Sequence, residues 1–278
     1  MKKESRSKLV SFLVGGLVFL VFIFPLYWMV VTALKTQVEI FSIPTPLWPK
    51  NLTLDAFAKQ LSSSGDTLRG FKNSLIISCG ATAIATVLAI PAAYGLARFR
   101  FGARRGLVLF FLITQMLPST LVLTSLYIMF SKMHLLNTYW APILADATLG
   151  IPFSIIILRT YFVSIPKELD EAAKIDGCST FSIIVRIIFP LCKPSLFSVA
   201  IFAFMWNWDD FQNQLIYLTK VDLYTVALAM RTTIDATGAD NWGAVMAMAL
   251  CSVLPAIVMF FCLQKYFVDG VSTSGLKG

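Results

Sequence analysis

Residues 9–34 read LVSFLVGGLVFLVFIFPLYWMVVTAL, a run without a single charge. A helix crosses the roughly 30 Å hydrocarbon core of a bilayer with about 20 residues, so this stretch is long enough to span one. Five further apolar runs of membrane length follow, at 74–97, 107–130, 139–162, 195–218 and 244–263. Pro25, Pro91, Pro118, Pro152 and Pro255 fall inside them. Proline would break an isolated soluble helix, but a packed bundle re-satisfies the freed backbone groups. The first run exceeds the roughly 7–15 apolar residues of a signal peptide, and no small-x-small cleavage site follows, so it reads as a retained span. The expected fold is an all-α integral membrane protein with six transmembrane helices, one transmembrane domain over residues 1–278.

Composition agrees. Of 278 residues, 57% are apolar and 14% charged, against about 45–50% and about 25% in soluble domains. Mean hydropathy is +0.76. Disorder, coiled coil, a disulfide scaffold and an ordinary cytosolic enzyme are excluded. The formal charge of +8 is explained by topology. With the N-terminus inside, 15 of the 23 basic residues lie on the cytoplasmic side, four of them arginines between positions 98 and 105. Basic residues close to span ends set orientation, so both termini are expected in the cytoplasm. These clusters flank spans and form no patch, which argues against nucleic acid as a partner. The five cysteines show no CxxC spacing and His134 is the single histidine, so neither a metal site nor a catalytic triad is expected. No GxxxxGK[ST] loop occurs, and the chain is not expected to be an ATPase.

Three inter-span segments are long. Residues 35–73 are expected outside, as a loop containing Pro44, Pro46, Pro49 and the Ser-Ser-Ser-Gly run at 62–65, with one short helix near 54–61. Residues 219–243 are also expected outside, and 269–278 form a short polar tail. The third, 164–194, is expected in the cytoplasm between spans four and five, and reads SIPKELDEAAKIDGCSTFSIIVRIIFPLCKP. Pro166 suits a first helical turn. Glu168, Asp170 and Glu171 follow at the positive helix end, with Lys174 near the other. Gly177 supplies a stop. Ser179 or Thr180 can cap a second helix over 181–189 that Pro190 ends. The alternative is an amphipathic connector lying on the membrane surface.

Glu171-Ala172-Ala173, three residues, Gly177, nine residues, then Ile187 and Pro190 resemble the EAA motif of bacterial ABC importer permeases, with Phe189 where the family writes Leu. Over its whole length the chain is similar to the second, shorter permease of the maltose-type carbohydrate uptake family, including Ile165-Pro166-Lys167-Glu168-Leu169, Lys265-Tyr266-Phe267-Val268 and the Gly275-Leu276-Lys277-Gly278 ending. The resemblance implies a coupling helix seated on a cytoplasmic ATPase, with Glu171, Ala172, Ala173, Asp176 and Gly177 at the contact. It also implies a heterodimer with a second homologous permease, two copies of the ABC ATPase, an extracytoplasmic sugar-binding protein and a place in the bacterial cytoplasmic membrane. ATP and Mg would be bound by the ATPase subunits, and no cofactor by this chain.

Residues 202–218 read FAFMWNWDDFQNQLIYL. Intramembrane carboxylates are costly and by default mark a site or pathway. At about 100° per residue, Trp206, Asn207, Asp209, Asp210, Asn213, Gln214 and Tyr217 share an arc of roughly 160°, while Trp208 and Phe211 point elsewhere. Carboxylates and amides suit sugar hydroxyls, and indole and phenol rings suit the apolar face of a pyranose. The same residue types also anchor helices at the interface or tie helices together. The family pattern here, Trp-Asn-acid-Phe followed by Pro-Leu, is replaced by Trp208-Asp209-Asp210-Phe211 and Gln214-Leu215. Thr114, Gln115 and Ser119 near Pro118 are weaker pathway candidates, since polar residues beside a proline more often satisfy backbone groups.

The leading expectation is therefore one permease half of an ATP-driven carbohydrate importer, with an oligosaccharide as cargo. The alternatives are the same architecture carrying a glycerophosphodiester or a polyamine, of which Asp209 and Asp210 favour the cation. An ion-coupled secondary transporter would show inverted repeats and broken short spans, and the sequence displays neither. A membrane-embedded enzyme would need clustered catalytic groups.

Overall fold

The computed structural model describes residues 2–62, 66–237 and 241–274, and among these no strand occurs. Residues 63–65 of the Ser-rich run and the 275–278 ending lie outside the described residues. Four helices hold apolar runs long enough to cross a membrane: α1 (Lys2–Ala33), α4 (Asp66–Arg98), α7 (Trp140–Ser164) and α14 (Trp242–Ser274). Between α1 and α4 lie α2 (Gln37–Ile40) and α3 (Asp55–Leu61), the latter where a short helix was expected. The tail expected from 269 is helical as far as Ser274.

Runs three and five are broken, contrary to the sequence expectation. The third is α5 (Arg104–Met116) and α6 (Ser119–Lys132), bent by 96°. Leu117, held extended at ψ 132°, precedes Pro118, and the proline ring disfavours a helical conformation at the residue before it. The segment leading into the fifth turns by 84° between Thr180–Leu191 and α11 (Lys193–Trp208). Beyond Trp208 the chain leaves the helix at 209–211 and resumes as α12 (Gln212–Tyr217). The Asp210 carboxylate accepts from the Asn213 backbone N–H at 3.0 Å, the local side-chain bond by which aspartate competes with a helix. Six spans result when each bent pair counts as one.

The chain divides into two compact units. In the first, Met1–Arg69 with Ala229–Leu254, the Glu39 carboxylate accepts from the backbone N–H of Lys50 and Asn51, at 3.2 and 2.8 Å, and so shapes the loop after α2. Lys35 donates to the Pro46 carbonyl and stands over the Trp28 ring, 4.6 Å from its centroid.

The second unit, Gly70–Leu228 with Pro255–Gly278, holds the main core. Ala81, Ala85, Ala89, Ala93 and Ala97 form a buried stripe along α4, and small residues let helices approach closely where lipid supplies no hydrophobic drive. Gly150 of α7 lies against the Ala85 methyl, with 3.5 Å from its Cβ position. Near the start of α4, the Asn73 amide donates to the carbonyls of Asp222 and Tyr224, both at 2.9 Å, and accepts from the Tyr139 hydroxyl at 2.7 Å. Asn137, at φ 59°, accepts from Thr219 and Lys220 and fastens the same loop. The far end of α4 meets the segment that follows α7.

Candidate functional site

That segment opens with α8 (Glu168–Ile175). Gly177 ends it at φ +80°, with its N–H on the Lys174 carbonyl at 3.0 Å and the Cys178 N–H on the Ala173 carbonyl at 2.9 Å. These two bonds make the Schellman arrangement that satisfies the last helical carbonyls. Ser179 then caps α9 (Thr180–Ile183), accepting from the Ser182 N–H at 3.3 Å. The second helix does not stop at Pro190 as expected. A π turn over Ile184–Ile188 shifts the hydrogen-bond register ahead of the proline, and α10 (Phe189–Leu191) carries the chain to the bend at Cys192. The ring at Pro190 lacks an N–H to donate, and the longer i→i+5 register just before it accommodates that loss.

Glu171, Ala172, Asp176 and Gly177 are exposed on this knob. Ala173 is not: at 5% exposure it packs into the core of its own chain with Ala93, Leu96 and Ala97 of α4. Ala172 and Ala173, both expected at the contact, therefore face different ways in this chain, because adjacent helical residues lie about 100° apart. Large apolar groups complete the outer face, with Ile175 87% and Phe181 76% exposed. The sequence reading missed the partner of Asp170. This carboxylate is buried 2.7 Å from Arg98 Nε and accepts from the Tyr94 hydroxyl at 3.1 Å. Arg98 Nη1 also donates to the Ile165 carbonyl at 3.0 Å. Tyr94 and Arg98 stand four apart on one face of α4, and Asp170 shares the inward face of α8 with Ala173; that spacing was the available signal.

The break after Trp208 divides the polar residues of the fifth run. Trp206 (68% exposed), Asp209, Asp210 and Asn213 line a cavity of about 850 Å³. A neighbouring cavity of about 470 Å³ shares Trp206, Phe202, Leu149 and Ser119 with it and reaches Gln115 and Asn207. Phe211, expected to face away, also lines the larger cavity. The single seven-residue face expected from a continuous helix does not form. Gln214 is buried, donating to the Asn207 carbonyl at 3.4 Å and accepting from the Thr225 hydroxyl. Tyr217 is buried edge-on against Phe130, with centroids 5.3 Å apart. Asn207 reaches the cavity wall but donates to Thr82 of α4 at 3.3 Å. Trp208 is buried between Phe71 and Phe204.

One further acid was missed. Asp146 of α7, 1% exposed, accepts from the Asn213 amide at 2.9 Å, and the same amide nitrogen donates to Asp210. An aspartate in the middle of an apolar run is itself the signal. Near Pro118, Gln115 donates to the Leu149 carbonyl at 3.1 Å and Thr114 to the Phe111 carbonyl at 2.8 Å. Both thus bind backbone groups, the more common role for polar residues beside a proline.

Residues 85–273 match the family model described as "Binding-protein-dependent transport system inner membrane component". The chain is 36% identical over 259 residues to the "Probable ABC transporter permease protein YurM" of Bacillus subtilis, covering 92% of this chain and 84% of that one. It is 30% identical, end to end in both chains, to the "Diacetylchitobiose uptake system permease protein DasC" of Streptomyces coelicolor. Its fold matches a chain of a bacterial ABC transporter involved in the import of the acidic polysaccharide alginate, with a TM-score of 0.84 at 19% identity over 96% of this chain and 98% of that chain. Six apolar runs, an exposed helical knob and a cavity between spans thus meet a match over most of the chain: it belongs to the binding-protein-dependent transport system inner membrane components, as a multi-pass permease of an ABC transporter and not itself an ATPase.

Proposed function

We propose that this chain is one permease half of a carbohydrate importer whose cargo is an oligosaccharide. It works beside a second homologous permease, with two copies of a cytoplasmic ATPase that carry the ATP and Mg, and with an extracytoplasmic sugar-binding protein. Both termini and the α8–α9 knob lie in the cytoplasm, following the bias of basic residues toward that side. Closure of the ATPase pair moves the knob, and the spans answer by opening the cavity outward; ATP hydrolysis restores the inward-facing state.

The observation that carries this reading is the knob itself. Glu171, Ala172, Asp176, Ile175 and Phe181 are exposed on a mount locked by the Schellman turn at Gly177. A rigid surface combining acidic and large apolar groups is suited to a protein partner. A saccharide cargo is supported by full-length similarity to a diacetylchitobiose permease. It is supported also by an exposed indole at Trp206 beside Asp209, Asp210 and Asn213, in a cavity of about 850 Å³, within the usual range of roughly 300–1,000 Å³ for ligand pockets.

Reconstitution of the complete complex in proteoliposomes tests the proposal. ATP-dependent uptake of a labelled oligosaccharide is expected, abolished by omitting either the ATPase or the binding protein. Uptake in the absence of the ATPase, or a polyamine carried in preference to every sugar offered, refutes it.

A further inference from the structure

Among the side chains of α8, Asp170 and Ala173 are the buried ones. Ala173 contributes packing alone. Asp170 contributes polar links: its Oδ2 pairs with the Arg98 guanidinium, 2.7 Å from Nε, and accepts a hydrogen bond from the Tyr94 hydroxyl at 3.1 Å, and both ionised side chains are almost wholly buried. The same guanidinium holds the Ile165 carbonyl at 3.0 Å. One side chain at the last residue of α4 therefore grips the knob both in α8 and at the residue that enters it. Neither partner reaches the exposed face that bears Glu171 and Ile175, so the link has no part in docking.

The other end of this stretch of α4 is gripped as well. Asn73 binds the carbonyls of Asp222 and Tyr224 and the hydroxyl of Tyr139. At Gly70 the backbone of Val226 approaches so closely that a Cβ would stand 3.0 Å from its nitrogen. Between the two ends, Thr82 accepts from Asn207 at the edge of the smaller cavity. Asn73 and Arg98 are separated by about 37 Å along a helix rising 1.5 Å per residue. α4 runs as one helix between the two clamps, with Pro91 inside it, and so gives a continuous path from one to the other. Charge-assisted bonds in a low-dielectric interior are stronger and better directed than packing contacts.

We propose that Tyr94, Arg98 and Asp170 form the joint through which movement of the α8 knob is transmitted along α4 to the cavity and to the 218–225 loop, making them positioning residues for coupling. The proposal rests on the coupling reading given above. It assigns the transmission to an internal link, separate from the docking face.

The test uses the complete complex in proteoliposomes with sugar-loaded binding protein, and reads ATP hydrolysed and sugar imported in the same vesicles. Tyr94→Phe removes one hydroxyl and keeps the ring. Asp170→Asn removes the charge at nearly constant volume, and Asp170→Glu restores it. The expected result is that Tyr94→Phe and Asp170→Asn complexes co-purify with the ATPase and hydrolyse ATP within about twofold of the parent rate, while ATP consumed per sugar rises about three-fold or more for Tyr94→Phe and about ten-fold or more for Asp170→Asn. Asp170→Glu is expected to recover part of the loss. An unchanged ATP-to-sugar ratio in both substitutions overturns the proposal. So does a parallel fall of hydrolysis and uptake that tracks the amount of assembled complex, which is the behaviour of a merely structural pair. Should Asp170→Asn fail to assemble, Tyr94→Phe decides alone by the same ratio. Glu171→Lys, run beside them, separates the two levels. If it uncouples while the joint variants do not, the joint is wrong and the docking face stands; if it too leaves the ratio and ATPase binding unchanged, the coupling reading itself fails.

Discussion

Gly177 offers a quantitative test of the knob, because its role is isolated from packing. A Cβ placed there meets nothing within 4 Å, and φ is +80°. Substitution by Ala therefore creates no clash with a neighbour; its whole cost is the left-handed backbone, about 1–2 kcal/mol for an L-residue other than Gly, Asn or Asp. If docking on the ATPase requires this turn, the docked geometry is disfavoured by that amount, and the affinity of the permease for the ATPase falls by about 5- to 30-fold. Asn tolerates the left-handed region, so Gly177→Asn is expected to remain within about threefold of the parent. Pro fixes φ near −65° and removes the N–H now bonded to the Lys174 carbonyl, so Gly177→Pro is expected to uncouple ATP hydrolysis from uptake altogether. The assay is titration of purified ATPase onto the permease pair in nanodiscs, with uptake measured in parallel. Equal defects for Ala and Asn would refute the backbone argument and point to contact with the partner at this position. Parent-like behaviour of Ala and Pro together would show that the turn does not matter for docking.

Trp206→Ala, which deletes the exposed indole from the cavity, is expected to slow uptake several-fold at saturating loaded binding protein, about 0.5–1.5 kcal/mol of lost stacking, without reducing ATPase docking; unaltered uptake in both Trp206→Ala and Asp210→Asn removes the cavity from the sugar route. Asp146→Ala deletes one of the two carboxylate acceptors of the Asn213 amide, the one on α7, and is expected to cost about 0.6–1.7 kcal/mol of stability, the range of interhelical hydrogen bonds in membranes, seen as earlier thermal unfolding in detergent. Ala89→Leu inserts three carbons into the fully buried stripe of α4. Overpacking of this kind costs about 1–3 kcal/mol, and a lower yield of folded permease is expected, whereas Gly106→Leu, at an exposed position where a Cβ meets nothing within 4 Å, is expected to be silent.

Particular residues show how far the chain could be read before its structure. The knob was legible because its determinants are local: acids in the first turn of α8, a glycine where the backbone must turn left-handed, and Ser179 in capping position. The fifth run was misread for an equally local reason. A uniform 100° step per residue holds only while the helix continues; it stops at Trp208, and Asp210 accepts from the Asn213 N–H at the start of the next helix. After the break, Gln214 and Tyr217 rotate into the core while Asp209, Asp210 and Phe211 come to the cavity. Asp170 was read as an acid of the first helical turn and Asp146 was passed over inside its apolar run, and the partner of neither was legible. Tyr94 and Asn213 lie 76 and 67 positions away from them, respectively.

The sequence by itself determined the membrane class, the six apolar runs, the charge bias that argues for an orientation, and the place and local form of the α8 knob. Each of these depends on run length, on charge near span ends, or on the conformational preference of a single residue, and such properties are carried along one dimension. Only the tertiary structure decided where runs three and five bend, which of the polar residues of the fifth run face a cavity, and that Arg98 and Asp146 find Asp170 and Asn213. Those outcomes depend on the rotation and approach of helices distant in the chain. Buried charges and amides must find partners in whatever geometry the packing of small residues along α4 and α7 allows.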